Sequence, residues 1–209
     1  MCVTSVGTAP VPALTSTYGV KMNHRSVAVV LGAIALLCSA AVGTASAKLP
    51  TPSSTRIVPN VGLGGVNLGS PYVKQPKGWG APTDCNRNVA CVWTARSDAL
   101  PKGNARGITG PFVLSASQNG KVAFLAIGVG EKSPDPRALR KWQTAKGVGF
   151  GDTVSTLRRA YPSASKGRVR GQYVLWGAGR RTRTNFRFTN GKLANVELFS
   201  CSTGNCTVN

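Results

Sequence analysis

Histidine is the first absence. The chain holds one, His24, and it sits in a leader that export would remove. Without histidine neither a Ser-His-Asp triad nor a Cys-His pair can be assembled. Acids are nearly as scarce, with 6 Asp and Glu against 26 Lys and Arg. Asp84, Asp98, Glu131, Asp135, Asp152 and Glu197 are the whole set. Asp135 and Asp152 fall where helix starts use a carboxylate as a cap. No spacing pairs two acids across a bond as a glycosidase requires. The glycines do not form Gly-x-Gly-x-x-Gly or a phosphate loop, and no motif supports a Ser–Lys dyad. The expected protein is therefore not an enzyme and needs no cofactor or metal; a hydrolase of unknown type is the last alternative.

A leader is present near the start. Lys21, His24 and Arg25 precede an apolar run from Val27 to Val42, and Ala45-Ser46-Ala47 closes it with small residues at alternate positions. That is the layout of a signal peptide over 22–47, cleaved after Ala47. An uncleaved membrane anchor is the alternative, since the run approaches a spanning length. Residues 1–21 form an upstream extension outside this layout, and Met22 fits as the native start. Cys38 follows Leu37, which is too bulky for lipoprotein processing. Removing the leader takes Lys21 and Arg25 away and leaves 24 basic residues against 6 acidic ones, a net charge of +18. Such a charge favours anionic partners and says nothing about fold. The mature chain is expected to be secreted, or held at the cell wall, with no stable membrane span.

Cys85, Cys91, Cys201 and Cys206 remain after the leader is gone. In an exported chain four cysteines read as two disulfides with three connectivities. Proximity favours Cys85–Cys91 and Cys201–Cys206, each contributing roughly 2 kcal/mol through the unfolded state. A tetrathiolate zinc site is the rival, and the gaps lack the matched short spacings it needs.

The rest is organised around Gly147 to Pro162, which reads as a glycine turn, an N-cap at Asp152, a short amphipathic helix and a proline stop. Val154, Leu157 and Tyr161 make its apolar stripe. Gly65, Val66, Leu68, Gly69 and Ser70 repeat the places of Gly147, Val148, Phe150, Gly151 and Asp152. There Ser70 and Pro71 suit an N-cap and first helical residue, while Pro76 shortens or distorts the helix they would start. Asn119-Gly120-Lys121 and Asn190-Gly191-Lys192 also repeat, and Asn-Gly between apolar runs is a strong hairpin cue. Two motifs recurring in the same order read as duplication. The expected fold is α+β, two tandem repeats over 61–130 and 131–209 after a flexible lead-in over 48–60. Each repeat is read as a short helix on an antiparallel sheet of about three to four strands. Asp135-Pro136 before Arg137 to Trp142 suggests a connecting helical turn.

Alternation divides the later hairpin into two faces. Phe186, Phe188, Ala194, Val196 and Leu198 share one; Arg183, Asn185, Arg187, Asn195 and Glu197 share the other. Val122 to Ile127 is apolar on both faces and reads as a central strand. Basic residues cluster late, at Arg158, Arg159, Lys166, Arg168, Arg170, Arg180, Arg181, Arg183 and Arg187, with Tyr173, Trp176 and Phe186 among them. Single-stranded nucleic acid would need those aromatics on the basic face. Phe186 falls opposite Arg187, so the aromatics read as core and nucleic acid is not the expected partner. Arg180, Arg181, Arg183 and Arg187 form the expected anionic-partner surface, with Arg183 and Arg187 pointing to water.

The paired units, with a Gly-x-[Leu/Phe]-Gly-[Ser/Asp] helix entry, a Trp-Gly or Tyr-Pro exit and a closing Asn-Gly-Lys hairpin, resemble uncharacterised secreted proteins of Gram-positive bacteria. The unit is similar to the helix-plus-sheet repeat of the β-lactamase inhibitory protein and of small envelope-assembly lipoproteins. The resemblance spans Val61 to Phe199 and implies a sheet surface offered to another protein, without a named target. The expected function is a secreted, non-catalytic binding protein, inhibitor-like or scaffolding. The alternative is a cell-surface module retained by anionic wall polymers or lipid headgroups. N-terminal sequencing of the exported protein is expected to begin Lys48-Leu49-Pro50; full-length chain recovered in the membrane would refute cleavage.

Overall fold

The computed structural model describes residues 49–86, 90–94, 108, 110–130 and 135–201. The leader and extension, Asp98, Glu131 and Cys206 lie outside the described residues. Those described belong to the compact unit Gly43–Asn209. In chain order the strands are β1 (Arg56–Val58), β2 (Gly62–Leu63), β3 (Val66–Asn67), β4 (Asp84–Asn86), β5 (Ala90–Thr94) and β6 (Pro111–Gln118). Then come β7 (Lys121–Val129), β8 (Gln143–Thr144), β9 (Ser165–Lys166), β10 (Gln172–Trp176), β11 (Thr182–Thr189) and β12 (Lys192–Ser200).

Both Asn-Gly hairpins form as read. Asn119 and Gly120 join β6 to β7 with φ of 53° and 70°, and Asn190 and Gly191 join β11 to β12 with φ of 51° and 74°. Two successive left-handed residues twist the turn with the strands, and Asn and Gly are the residues that tolerate it. Each hairpin has a register shift near its turn, at Ala116/Ser117 and at Arg187/Phe188. The apolar runs then pair outward into a sheet of 8 strands in the order β4-β5-β6-β7-β12-β11-β10-β9. β7 lies at its centre beside β12, antiparallel, as its two apolar faces require. A second sheet of 4 strands has the order β3-β2-β1-β8.

The tandem α+β expectation is overturned. The structure is mostly β and has one α-helix among the described residues, α1 (Val154–Ala160). The strands of both stretches share one sheet and one core that runs from Ile57 and Trp79 to Leu157, Phe186 and Leu198. The stretch expected as a flexible lead-in supplies β1, which stands in the small sheet between β2 of the first stretch and β8 of the second, and Thr55 Oγ1 donates to the Lys141 carbonyl at 2.8 Å.

Proline explains the missing helix. Pro71 forms a bridge to Lys121, and Pro76 would remove a hydrogen bond and clash in the second turn. Gly78 and Gly80 then take φ of 81° and 73°. A helix this short cannot repay its nucleation without an unbroken apolar stripe. Trp79 fills the core instead. Its indole donates to the Gly64 carbonyl at 2.9 Å and meets Trp93 edge-on at 5.0 Å between ring centroids.

The later phrase folds as read, with one shift. Thr153, not Asp152, caps α1 by accepting from the Thr156 amide. Asp152 Oδ2 instead accepts from the Gly149 amide at 2.8 Å and closes the glycine turn. Leu157 is fully buried, with Val154 and Tyr161 packed beside it, and Tyr161 stacks on Phe186 at 6.0 Å. The expected connecting turn is a 3-10 turn at Arg137–Leu139, with Asp135 Oδ1 accepting from the Arg137 amide at 3.0 Å.

Cys85 and Cys91 are disulfide-bonded across β4 and β5, with Cα atoms 4.1 Å apart. Cys201 is also in a disulfide; Cys206, the partner expected for it, is outside the described residues. Since α1 holds the sheet through one fully buried side chain, Leu157→Ala is expected to cost about 2–5 kcal/mol in urea unfolding. A loss below about 1 kcal/mol would mean that α1 is not part of the cooperative core.

Candidate functional site on the outer sheet face

The two-residue period of β11 puts Arg183, Asn185 and Arg187 on the sheet face away from Leu157 and Trp79. Pairing sets them opposite Phe199, Glu197 and Asn195 of β12 and opposite Trp176, Val174 and Gln172 of β10. β7 extends the same rows with Phe124, Ala126 and Gly128. Three rows of side chains therefore cross four strands.

The first row is aromatic and cationic. Phe124 and Phe199 have centroids 4.8 Å apart. The Arg183 guanidinium lies 4.6 Å from the Phe199 centroid and 5.7 Å from that of Trp176. Arg180, at the end of the 3-10 turn Ala178–Arg180, lies 5.6 Å from the Trp176 centroid. A guanidinium is planar and weakly hydrated, so it stacks on a ring with its N–H groups still directed sideways. Burial pushes the Arg183 guanidinium below its usual value, and the Glu197 charge opposes that shift. Trp176 is 38% exposed at the rim.

The second row is a polar link, half-buried at Arg187 and Glu197 and buried at Asn185. Glu197 accepts from Asn185 Nδ2 at 3.1 Å and lies 3.4 Å from Arg187 Nη2. Asn185 is only 2% exposed, so this face is not simply wet. In the third row the Asn195 side chain lies over Gly128, where a Cβ would run into it. That explains a glycine inside a central strand.

The four arginines are thus placed differently. Arg180 and Arg181 are exposed, and the Arg181 carbonyl accepts from the Cys201 amide at 2.7 Å, which fixes their turn. Arg183 is sandwiched by rings and Arg187 is tied to Glu197, so neither points freely to water. Replacing Arg187 by Glu would set two carboxylates side by side, and the exposed pair is the better place for charge reversal. Tyr173 and Phe186 face the core, as read, whereas Trp176 and Phe199 sit with the arginines. Carrying the alternation two residues past Glu197 puts Phe199 on this face. The Trp176 position depends on the β10 register, which no local pattern carries.

Among the described acids, Asp135 pairs with Arg137 at 2.6 Å, and backbone and side-chain bonds from Arg137 hold its carboxyl below the usual range. A cavity of about 180 Å³ near Tyr72 and one of about 290 Å³ near Arg56 and Lys141 have no carboxylate in their walls. Among the described residues no His, Cys, Asp and Glu group could hold a metal ion, and no helix is long and apolar enough to cross a membrane.

No protein-family model matches the chain, and no curated protein matches it. Among solved structures, an extracellular protein containing an SCP domain from Bacillus anthracis strain Ames is similar at a TM-score of 0.38 and 12% identity. The likeness covers 64% of this chain and 44% of that one, so the chain spans less than half of that neighbour's length. A likeness this slight carries no argument about fold or activity.

The Glu197 link predicts a stability pattern. Glu197→Ala removes the acceptor of Asn185 and the anion of Arg187, and is expected to cost roughly 1–3 kcal/mol in urea unfolding. Arg181→Ala, on the exposed turn, is expected to stay within about 0.5 kcal/mol of the parent. Equal effects would refute the distinction between linked and exposed charges.

Proposed function

We propose that this chain is an exported, non-catalytic binding protein that meets an acidic partner protein with the Trp176 rim of its large sheet. The observation that carries the reading is an exposed Trp176 ring bracketed by the Arg180 and Arg183 guanidiniums at 5.6 and 5.7 Å. Trp and Arg dominate the energetics of protein interfaces, and a stacked guanidinium loses little further freedom when it binds. The mature net charge of +18 would steer an acidic partner to this edge. Asp135 and Asp152 tie down turns and Glu197 links Asn185 to Arg187, and these structural uses support a non-catalytic reading.

One further observation favours retention by an anionic envelope polymer or lipid headgroup. Lys166, Arg168 and Arg170 are exposed at and just after β9, beside β10. They widen the basic edge beyond the reach of one ring. Two variants separate the readings. Arg180→Glu with Arg181→Glu is expected to weaken capture by an envelope fraction and by polyglutamate at least tenfold near 0.15 M salt, where the Debye length is about 8 Å. Trp176→Ala is expected to weaken a protein partner by about 2 kcal/mol, the size of an interface anchor, and to leave polymer binding nearly unchanged. Binding indifferent to salt and to both variants would remove this surface from consideration.

A further inference from the structure

We propose that the cavity between β3 and the proline segment Pro71–Pro76 binds a single phenol ring. Its origin lies in how two similar anchor points continue. Thr153 bridges Lys192 and Pro71 bridges Lys121, in each case just after an Asn-Gly turn. Beyond Thr153 the chain coils into α1 and sinks Leu157 fully into the core. Beyond Pro71 the prolines forbid a helix, and the buried side chain of this stretch, Trp79, enters the core only farther along the chain. A cavity of about 180 Å³ remains. An apolar cavity of about 150 Å³ holds one benzene ring, so the space suits one six-membered ring.

The walls choose the chemistry. Val66, Val73, Pro76 and Val122 supply apolar surface. Ser115 and Tyr72 also line the cavity. Ser115 is 1% exposed, and its Oγ and the Tyr72 hydroxyl are buried without a bond of full hydrogen-bond geometry. The two are near enough that Ser115 opposes the upward push that burial gives the Tyr72 phenol. A hydrocarbon ring would leave both hydroxyls unmatched, at a cost for each. A sugar would need a partner for each of several hydroxyls, and Val66, Val73, Pro76 and Val122 offer none. A phenol brings one hydroxyl, which both donates and accepts, and an otherwise apolar body. The ring can come from a free phenol or from a tyrosine side chain of a polypeptide.

Heteronuclear NMR of the purified full chain tests this with p-cresol, N-acetyltyrosine amide and toluene. Saturable shifts are expected at Val66, Ser115 and Val122 with p-cresol, at a Kd on the order of 1 mM. Toluene, the same shape without the hydroxyl, is expected to bind at least tenfold more weakly. Ser115→Ala, which only removes an oxygen, is expected to narrow that difference while the thermal midpoint stays near the parent's. Binding of p-cresol alone assigns the site to a free phenol; binding of the capped tyrosine as well assigns it to a polypeptide side chain. No saturable shift with either phenol, or toluene binding as tightly as p-cresol, overturns the proposal.

Discussion

Five residue pairs between β7 and β12, from Phe199 opposite Phe124 to Asn195 opposite Gly128, join hairpins that are distant in sequence. An isolated hairpin is marginal in water, and a wider sheet with a covered face is not. This seam supplies the width. Leu125, Ile127, Val196 and Leu198 meet along it with no exposed surface, and α1, Trp79 and the small sheet then have a common floor to cover. The outer rows depend on the same register. A slip of one residue would turn Arg183, Asn185 and Arg187 into the core, so burial of Phe186 and Leu198 is also what holds the arginines outside.

The local elements were legible because short-range rules decide them. Asn-Gly turns, the two faces of the later hairpin, the Val154–Leu157–Tyr161 stripe and the near cysteine pair each arise from a few adjacent residues. The arrangement of those elements was not legible. Two similar phrases suggested two self-contained units, yet whether hairpins pack separately or pair edge to edge is set by contacts across many residues. Val122 to Ile127, apolar on both faces, was the one sequence hint of a central strand. Pro76 warned against a first helix, and the two positive-φ glycines after it gave the chain another route.

The candidate surface was legible in part for a related reason. Alternation placed Arg183 and Arg187 correctly relative to Phe186, but it could not show what flanks them across the strands. Glu197 and Phe199 come from β12 and Trp176 from β10, and these neighbours change the physics. In water four arginines are four diffuse charges, screened within about 8 Å at physiological salt. On this sheet Glu197 offsets Arg187, rings hold Arg183, and the exposed charge moves to the Arg180–Arg181 turn.

The two halves of the large sheet are built differently. The half with α1 has a filled core and carries its chemistry outside, in guanidiniums stacked on rings. The half with the proline segment has a quieter exterior, where Leu114, Ala116 and Ala126 pack together, and leaves its unmatched groups inside. Ser115 and Arg183 therefore lie on opposite faces of one sheet, with β7 and β12 between their strands. A ring in the cavity and a partner on the arginine rim meet no steric conflict. Communication between them has to pass through the β7–β12 seam, whose inner side chains are fully buried and whose close Gly128–Asn195 contact leaves little room to shift. Close-packed interiors resist such displacement, so the two surfaces are expected to act independently.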